Sequence, residues 1–140
     1  VPKDRYLKYR FEQFAIDQAQ HLPSIDFCRW WYSLPLYSTL SNHHDFDSFI
    51  QHRANQFDRK SFSILIERLS ALNMPFTPIG SQTSSPLITY IYGQNDTKYE
   101  QVSKQIGKHL QGTKRIGIEH TSHLCWFESP DSISSAFINH

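Results

Sequence analysis

Asp96 and His123 are the residues of this chain whose types and spacing point most directly to chemistry. Asp96 follows the apolar run Leu87 to Tyr92 and Gly93, and His123 closes Glu119-His120-Thr121-Ser122-His123, 27 residues further on. In both cases a short β-favouring segment delivers a polar side chain into a loop. Adjacent parallel strands lie about 5 Å apart and their following loops leave the same end of the sheet, so the topology brings the two residues within reach. An aspartate that accepts the Nδ1 proton of a histidine orients the ring and leaves Nε2 to act as a base. These are the acid and base members of a catalytic triad. No Gly-x-Ser-x-Gly or similar nucleophile turn occurs among the serines and two cysteines.

Each of these residues also has a plainer role open to it. Asp96, placed before Thr97-Lys98-Tyr99, is a natural N-cap for a helix, and Lys98 is a surface residue of that helix start. His120 and His123 lack the glutamate and the helical i, i+4 spacing of a zinc site, and no third ligand is obvious. His43 and His44 stand beside Asp45 and Asp47 in a polar connection and read as solvated turn residues. The pattern calls for no metal and no cofactor.

The elements that must position the dyad follow from periodicity. Leu7, Phe11, Phe14, Ala15 and Ile16 recur near helical spacing between Asp4 and Gln20. Ser24 opens a second, short helix carrying Phe27, Trp30 and Trp31, which Pro35 stops; Leu36 to Leu40 is a connector. A third helix runs from Asp45 or Asp47 to Asn55, and Asp58 caps a fourth carrying Phe62, Leu65, Ile66, Leu69 and Leu72. The aromatic stripe of these helices is core material. Pro75, Pro78, Gly80, Ser81, Thr83, Ser84, Ser85 and Pro86 then crowd into a linker. Beyond it the spacing predicts a strand at 87–92, a helix from about Tyr99 to Leu110, a strand from Lys114 to Ile118, an apolar loop at 124–127 and a helix from Asp131 to Phe137. This is an α/β pattern: a helical first half, a boundary in the linker, and then a βαβα unit of a parallel sheet. Two parallel strands need both faces covered, so further strands are expected from an upstream segment of the same protein.

Composition narrows the function classes. With 14 Lys and Arg against 13 Asp and Glu, the chain builds no field suited to nucleic acid or an anionic membrane. Cys28 and Cys125 form neither a Cys-x-x-Cys pair nor a dense disulfide framework, which suits a reducing cytoplasm. Val1-Pro2-Lys3-Asp4-Arg5 has neither an initiating Met nor an apolar leader, and no window nears eighteen apolar residues; a soluble chain that begins inside a longer protein is expected.

Two sets of residues carry a family resemblance. Ile91-Tyr92-Gly93-Gln94-Asn95-Asp96-Thr97-Lys98-Tyr99, with His123 and Glu128-Ser129-Pro130, resembles the closing third of the α/β-hydrolase superfamily. Adding Trp31-Tyr32-Ser33-Leu34-Pro35-Leu36-Tyr37 and Arg53-Ala54-Asn55, nearly the whole chain is similar to the 2-succinyl-6-hydroxy-2,4-cyclohexadiene-1-carboxylate synthase family of menaquinone biosynthesis. The resemblance implies an α/β-hydrolase fold fragment in which residues 1–80 are a lid inserted in the hydrolase core and 81–140 are the last βαβα of that core. It also implies a lyase that eliminates pyruvate from a carboxylate-rich small molecule by a Ser-His-Asp triad whose serine lies outside this chain. Asp96 is then the triad acid, His123 the base, Arg53 the anchor of a substrate carboxylate, and Trp31 and Tyr32 an aromatic pair facing the pocket. Arg53 equally suits a solvated helix position near Asp47 or Asp58, and Trp31 and Tyr32 suit helix packing. A serine esterase or thioesterase with the same dyad, or a non-catalytic helical module, are the rival expectations. By itself the chain is expected to be inactive.

Overall fold

The computed structural model describes residues 3–70, 88–110 and 112–138. The Pro- and Ser-rich stretch at 75–86 and the expected boundary between 80 and 81 lie outside the described residues. The chain divides into two compact units, Val1–Trp31 with Asp47–Thr77, and Tyr32–Phe46 with Pro78–His140.

The first unit is helical. Helix α1 spans Lys3–His21, α2 Ser24–Trp31, α3 Phe46–Asn55 and α4 Arg59–Arg68. Ala15 and Ala19 are fully buried on α1, and α4 packs on that helix. Phe27 sits at the centre of the unit: its ring stacks on Phe57 at 4.6 Å and on Trp31 at 6.0 Å, and meets Phe62 edge-on at 5.0 Å. Ile50 and Ala54 bury the inner face of α3. Asp58 caps α4 by accepting from the Ser61 amide at 2.8 Å, as the sequence predicts. Two hydrogen bonds to Ser61 and the nearby Lys60 hold its carboxyl below the usual carboxylate range, so the cap's contribution is complete above that range and is lost only as pH falls below it, through the lowered value. Arg59, next in sequence, donates through Nε to the Ala19 carbonyl and through Nη2 to that of Leu22, both at 2.9 Å. Carbonyls at a helix end lack partners within the helix, so this arginine closes α1 from a neighbouring element.

The second unit holds a βαβ motif. Strand β1 is Thr89–Gly93, α5 Thr97–His109 and β2 Lys114–Ile118, followed by a short α6, Cys125–Glu128, and α7, Pro130–Ile138. The strands pair in parallel, with Thr89 opposite Lys114, Ile91 opposite Ile116 and Gly93 opposite Ile118. The expected β2 is found at the same bounds, whereas α5 starts two residues earlier than its apolar spacing indicates, because Asp96 caps it. Residues 124–127 are not a loop: Cys125–Glu128 form one helical turn. Nor is 36–40 a bare connector. Pro35–Tyr37 and Leu40–Asn42 are 3₁₀ turns, the first opened by Pro35, whose fixed φ suits a first helical position. They carry Tyr37 and Leu40 into the core of this unit, together with Tyr32, Ile118 and Cys125. Among the described residues, no helix is long and apolar enough to cross a membrane.

Replacing Phe27 by Ala removes the ring on which four other aromatic side chains converge. We expect a loss of about 3–5 kcal/mol in urea unfolding, the range for deleting a buried aromatic side chain; a loss below 1 kcal/mol would show that Phe27 is not the centre of this core.

Candidate active site

The site grows out of a close approach between two backbone segments. Gly93 ends β1 where the loop after β2 crosses it, and a Cβ built on Gly93 would lie 2.0 Å from the Ser122 carbonyl oxygen and 2.5 Å from that of Thr121. Real Cβ atoms never come so close to backbone oxygen, so only glycine lets the loops meet. Past the strand ends the ladder continues as Gln94 N–H to the Ile118 carbonyl, 3.0 Å, and Asn95 N–H to the Thr121 carbonyl, 2.9 Å. The loop after β2 turns through His120, whose φ of 59° is left-handed, a conformation disfavoured for any residue with a side chain.

Those contacts place Asp96 and His123 side by side. Nδ1 of His123 lies 2.8 Å from Oδ2 of Asp96. A carboxylate only accepts, so Nδ1 carries the proton and Nε2 is left as the basic nitrogen. Asp96 is 3% exposed, while the His123 side chain keeps 30% of its surface open. The carboxyl group is therefore shielded and the ring accessible. The other oxygen, Oδ1, accepts from the Tyr99 amide at 3.0 Å. Cap and dyad, which the sequence presents as alternatives, are both made, one by each oxygen.

Neighbouring rings fix the imidazole. Tyr99 lies 4.7 Å and Tyr37 5.8 Å from it, centroid to centroid, and the His123 amide donates to the Leu36 carbonyl at 3.2 Å. Tyr37 in turn meets Tyr32 edge-on at 5.1 Å. Burial pushes the Tyr90 phenol of β1 above its usual range, and the nearby Tyr99 and Asp96 add to the rise.

Glu128 holds the loop from beneath. Its Oε1 accepts from the Ser122 amide, 3.0 Å, and from the Ser122 hydroxyl, 2.7 Å; its Oε2 accepts from the Thr39 hydroxyl. Ser122 is completely buried, so these bonds have no water to replace them. Sequence reasoning quotes Glu128 in the family pattern without giving it a role. The signal is a glutamate three residues after Cys125, which is buried, so that its carboxylate needs polar partners nearby.

Of the other predicted residues, Tyr32 is buried in the second unit. Trp31 belongs to the first, where it stacks on Phe11 and Phe27 and meets Phe62 edge-on. Arg53 is exposed on α3 of the same unit, near enough to Cys28 for its charge to favour the thiolate. Burial outweighs that charge and pushes the Cys28 thiol up; burial also raises Cys125. Both cysteines are unpaired, and thiols so shifted are poor nucleophiles.

Comparison with protein-family models and with curated proteins finds no match for this chain.

Two substitutions separate the parts of this arrangement. Asp96→Asn retains an oxygen for the Tyr99 amide but not a carboxylate for Nδ1, so the thermal midpoint should hold while the Nδ1–H proton loses its downfield NMR position; Asp96→Ala should lose both. Glu128→Ala leaves the Ser122 amide and hydroxyl without an acceptor and should cost about 1–3 kcal/mol. An unchanged His123 spectrum in that variant would remove Glu128 from the positioning of the loop.

Proposed function

We propose that this chain carries the acid and base of a Ser-His-Asp triad in an α/β-hydrolase-fold lyase that eliminates pyruvate from a succinyl-bearing cyclohexene carboxylate in menaquinone biosynthesis. In this reading residues 1–80 contribute the lid, 81–140 the last βαβα of the core, and an upstream segment of the same protein supplies the serine and the remaining strands. The observation that carries it is the 2.8 Å contact between Nδ1 of His123 and Asp96 at the carboxyl ends of two adjacent parallel strands. Ligand chemistry in open parallel sheets gathers at that end.

The mechanism follows from the protonation states. Nε2 of His123, acting through the serine hydroxyl, takes a proton from a ring carbon next to a carbonyl. The electron pair left on carbon forms the new ring double bond as the carbon–oxygen bond to the pyruvyl group breaks, and pyruvate departs as its enolate, which takes up a proton. Asp96 stabilises the imidazolium formed in between and keeps its Nδ1 proton. The family resemblance gives Arg53 a substrate carboxylate, for which the planar guanidinium offers a two-point, charge-assisted hold, and gives Trp31 and Tyr32 a place beside the pocket. The free thiols of Cys28 and Cys125 suit a cytoplasmic setting.

In the complete protein, His123→Ala should reduce pyruvate release by roughly 100- to 10,000-fold, the usual contribution of a positioned base, with an unchanged circular-dichroism spectrum. Wild-type turnover in that variant would take His123 out of the mechanism. Rapid cleavage of p-nitrophenyl esters without pyruvate release would transfer the dyad to an esterase or thioesterase.

A further inference from the structure

The loop between the second 3₁₀ turn and α3 brings three metal-ligating side chains together in the second unit. His43, His44 and Asp45 each place one donor atom within 4.8 Å of the other two. We propose that these residues bind a divalent transition-metal ion of the zinc type, at a site separate from Asp96 and His123.

Several independent observations bear on this. Nε2 of His44 lies 3.1 Å from Oδ2 of Asp45. With metal bonds of about 2.0–2.2 Å to nitrogen and oxygen, a donor pair at that separation subtends roughly 90–100° at the ion, close to what a four-coordinate site accepts. Nδ1 of His43 accepts from the Asp45 amide at 3.2 Å, so that nitrogen is unprotonated and becomes a ligand once this long hydrogen bond gives way to the ion. The His43 ring is held between His44, 4.4 Å away, and Phe127 of α6, 4.9 Å away.

The loop lines a cavity of about 590 Å³, to which Phe127, Glu128 and Asp131 also contribute. Glu128 is occupied by Ser122 and Thr39, but its charge and that of Asp131 make the cavity favourable to a cation. Two ligands on one ion stand at most about 4.2 Å apart, so the widest donor pair must close by about half an ångström. The His44 and Asp45 side chains are 82% and 57% exposed, which leaves room for that closure. Two imidazoles with one carboxylate favour zinc, nickel or copper over magnesium or calcium, which prefer all-oxygen sites. Water supplies the remaining position.

The test is a zinc chloride titration of the full 140-residue chain at pH 7.5, where free imidazole is mostly neutral, in competition with a chromophoric chelator. One equivalent should bind and raise the thermal midpoint, and excess magnesium should not displace it. His44→Ala and Asp45→Asn should each weaken binding about tenfold or more. His109→Ala, at the far end of α5, should leave it unchanged. Cobalt substituted for zinc should give visible ligand-field bands that disappear in His44→Ala. Absence of a stoichiometric site, equal weakening by His109→Ala, or full displacement by magnesium would each overturn the assignment.

Discussion

Everything distinctive about the second unit rests on two loops being allowed to touch over Gly93. The Ser122 and Thr121 carbonyls occupy the volume in which any other residue would carry its Cβ. Because that volume is backbone on both sides, no rotamer change could relieve the crowding. The amides of Gln94 and Asn95 then reach the Ile118 and Thr121 carbonyls and carry the ladder beyond the strands. What begins as a steric vacancy ends as a hydrogen-bonded seam, and the seam sets the spacing of the two side chains that follow it.

Within that seam Asp96 serves two neighbours at once. One oxygen satisfies an amide at the start of α5 and the other holds the Nδ1 proton of His123. Burying a carboxylate this deeply is costly without partners, and here a hydrogen bond to each oxygen offsets that cost. The cap makes the carboxylate rigid and the histidine makes its second lone pair useful. Glu128 performs the complementary task on the partner loop, gathering Ser122 and Thr39 so that the segment bearing His123 is anchored through side chains as well as backbone.

The two units solve their packing differently. The helical unit concentrates its burial on aromatic rings around Phe27 and seals the end of α1 with Arg59. The βαβ unit leaves Ile91 and Ile116 only half-buried in its strands, and among the described residues α7 buries none of its side chains, with Phe137 and Ile138 well exposed. Parallel strands with apolar side chains on both faces are normally covered on both. The proposed upstream segment would supply that cover along with the nucleophile.

Local chemistry along the chain was enough to determine most of the elements. Helical spacing marked the main helices, β-favouring runs marked both strands, and Asp58 and Asp96 marked helix starts, because each of these depends on residues close in sequence; Asp96 and His123 were legible as a pair only through the topology that sends both loops to one end of the sheet. Tertiary structure alone decided the rest. Nothing near Tyr32–Phe46 announces that it packs with residues beyond 78, since that depends on partners such as His123 and Phe127, some 80 residues away. The role of Glu128 required Thr39, 89 residues earlier, to be brought to it. That Asp96 both caps and pairs could not be told from spacing, because its second oxygen finds a partner only when the chain has closed the gap between two loops that pattern leaves independent.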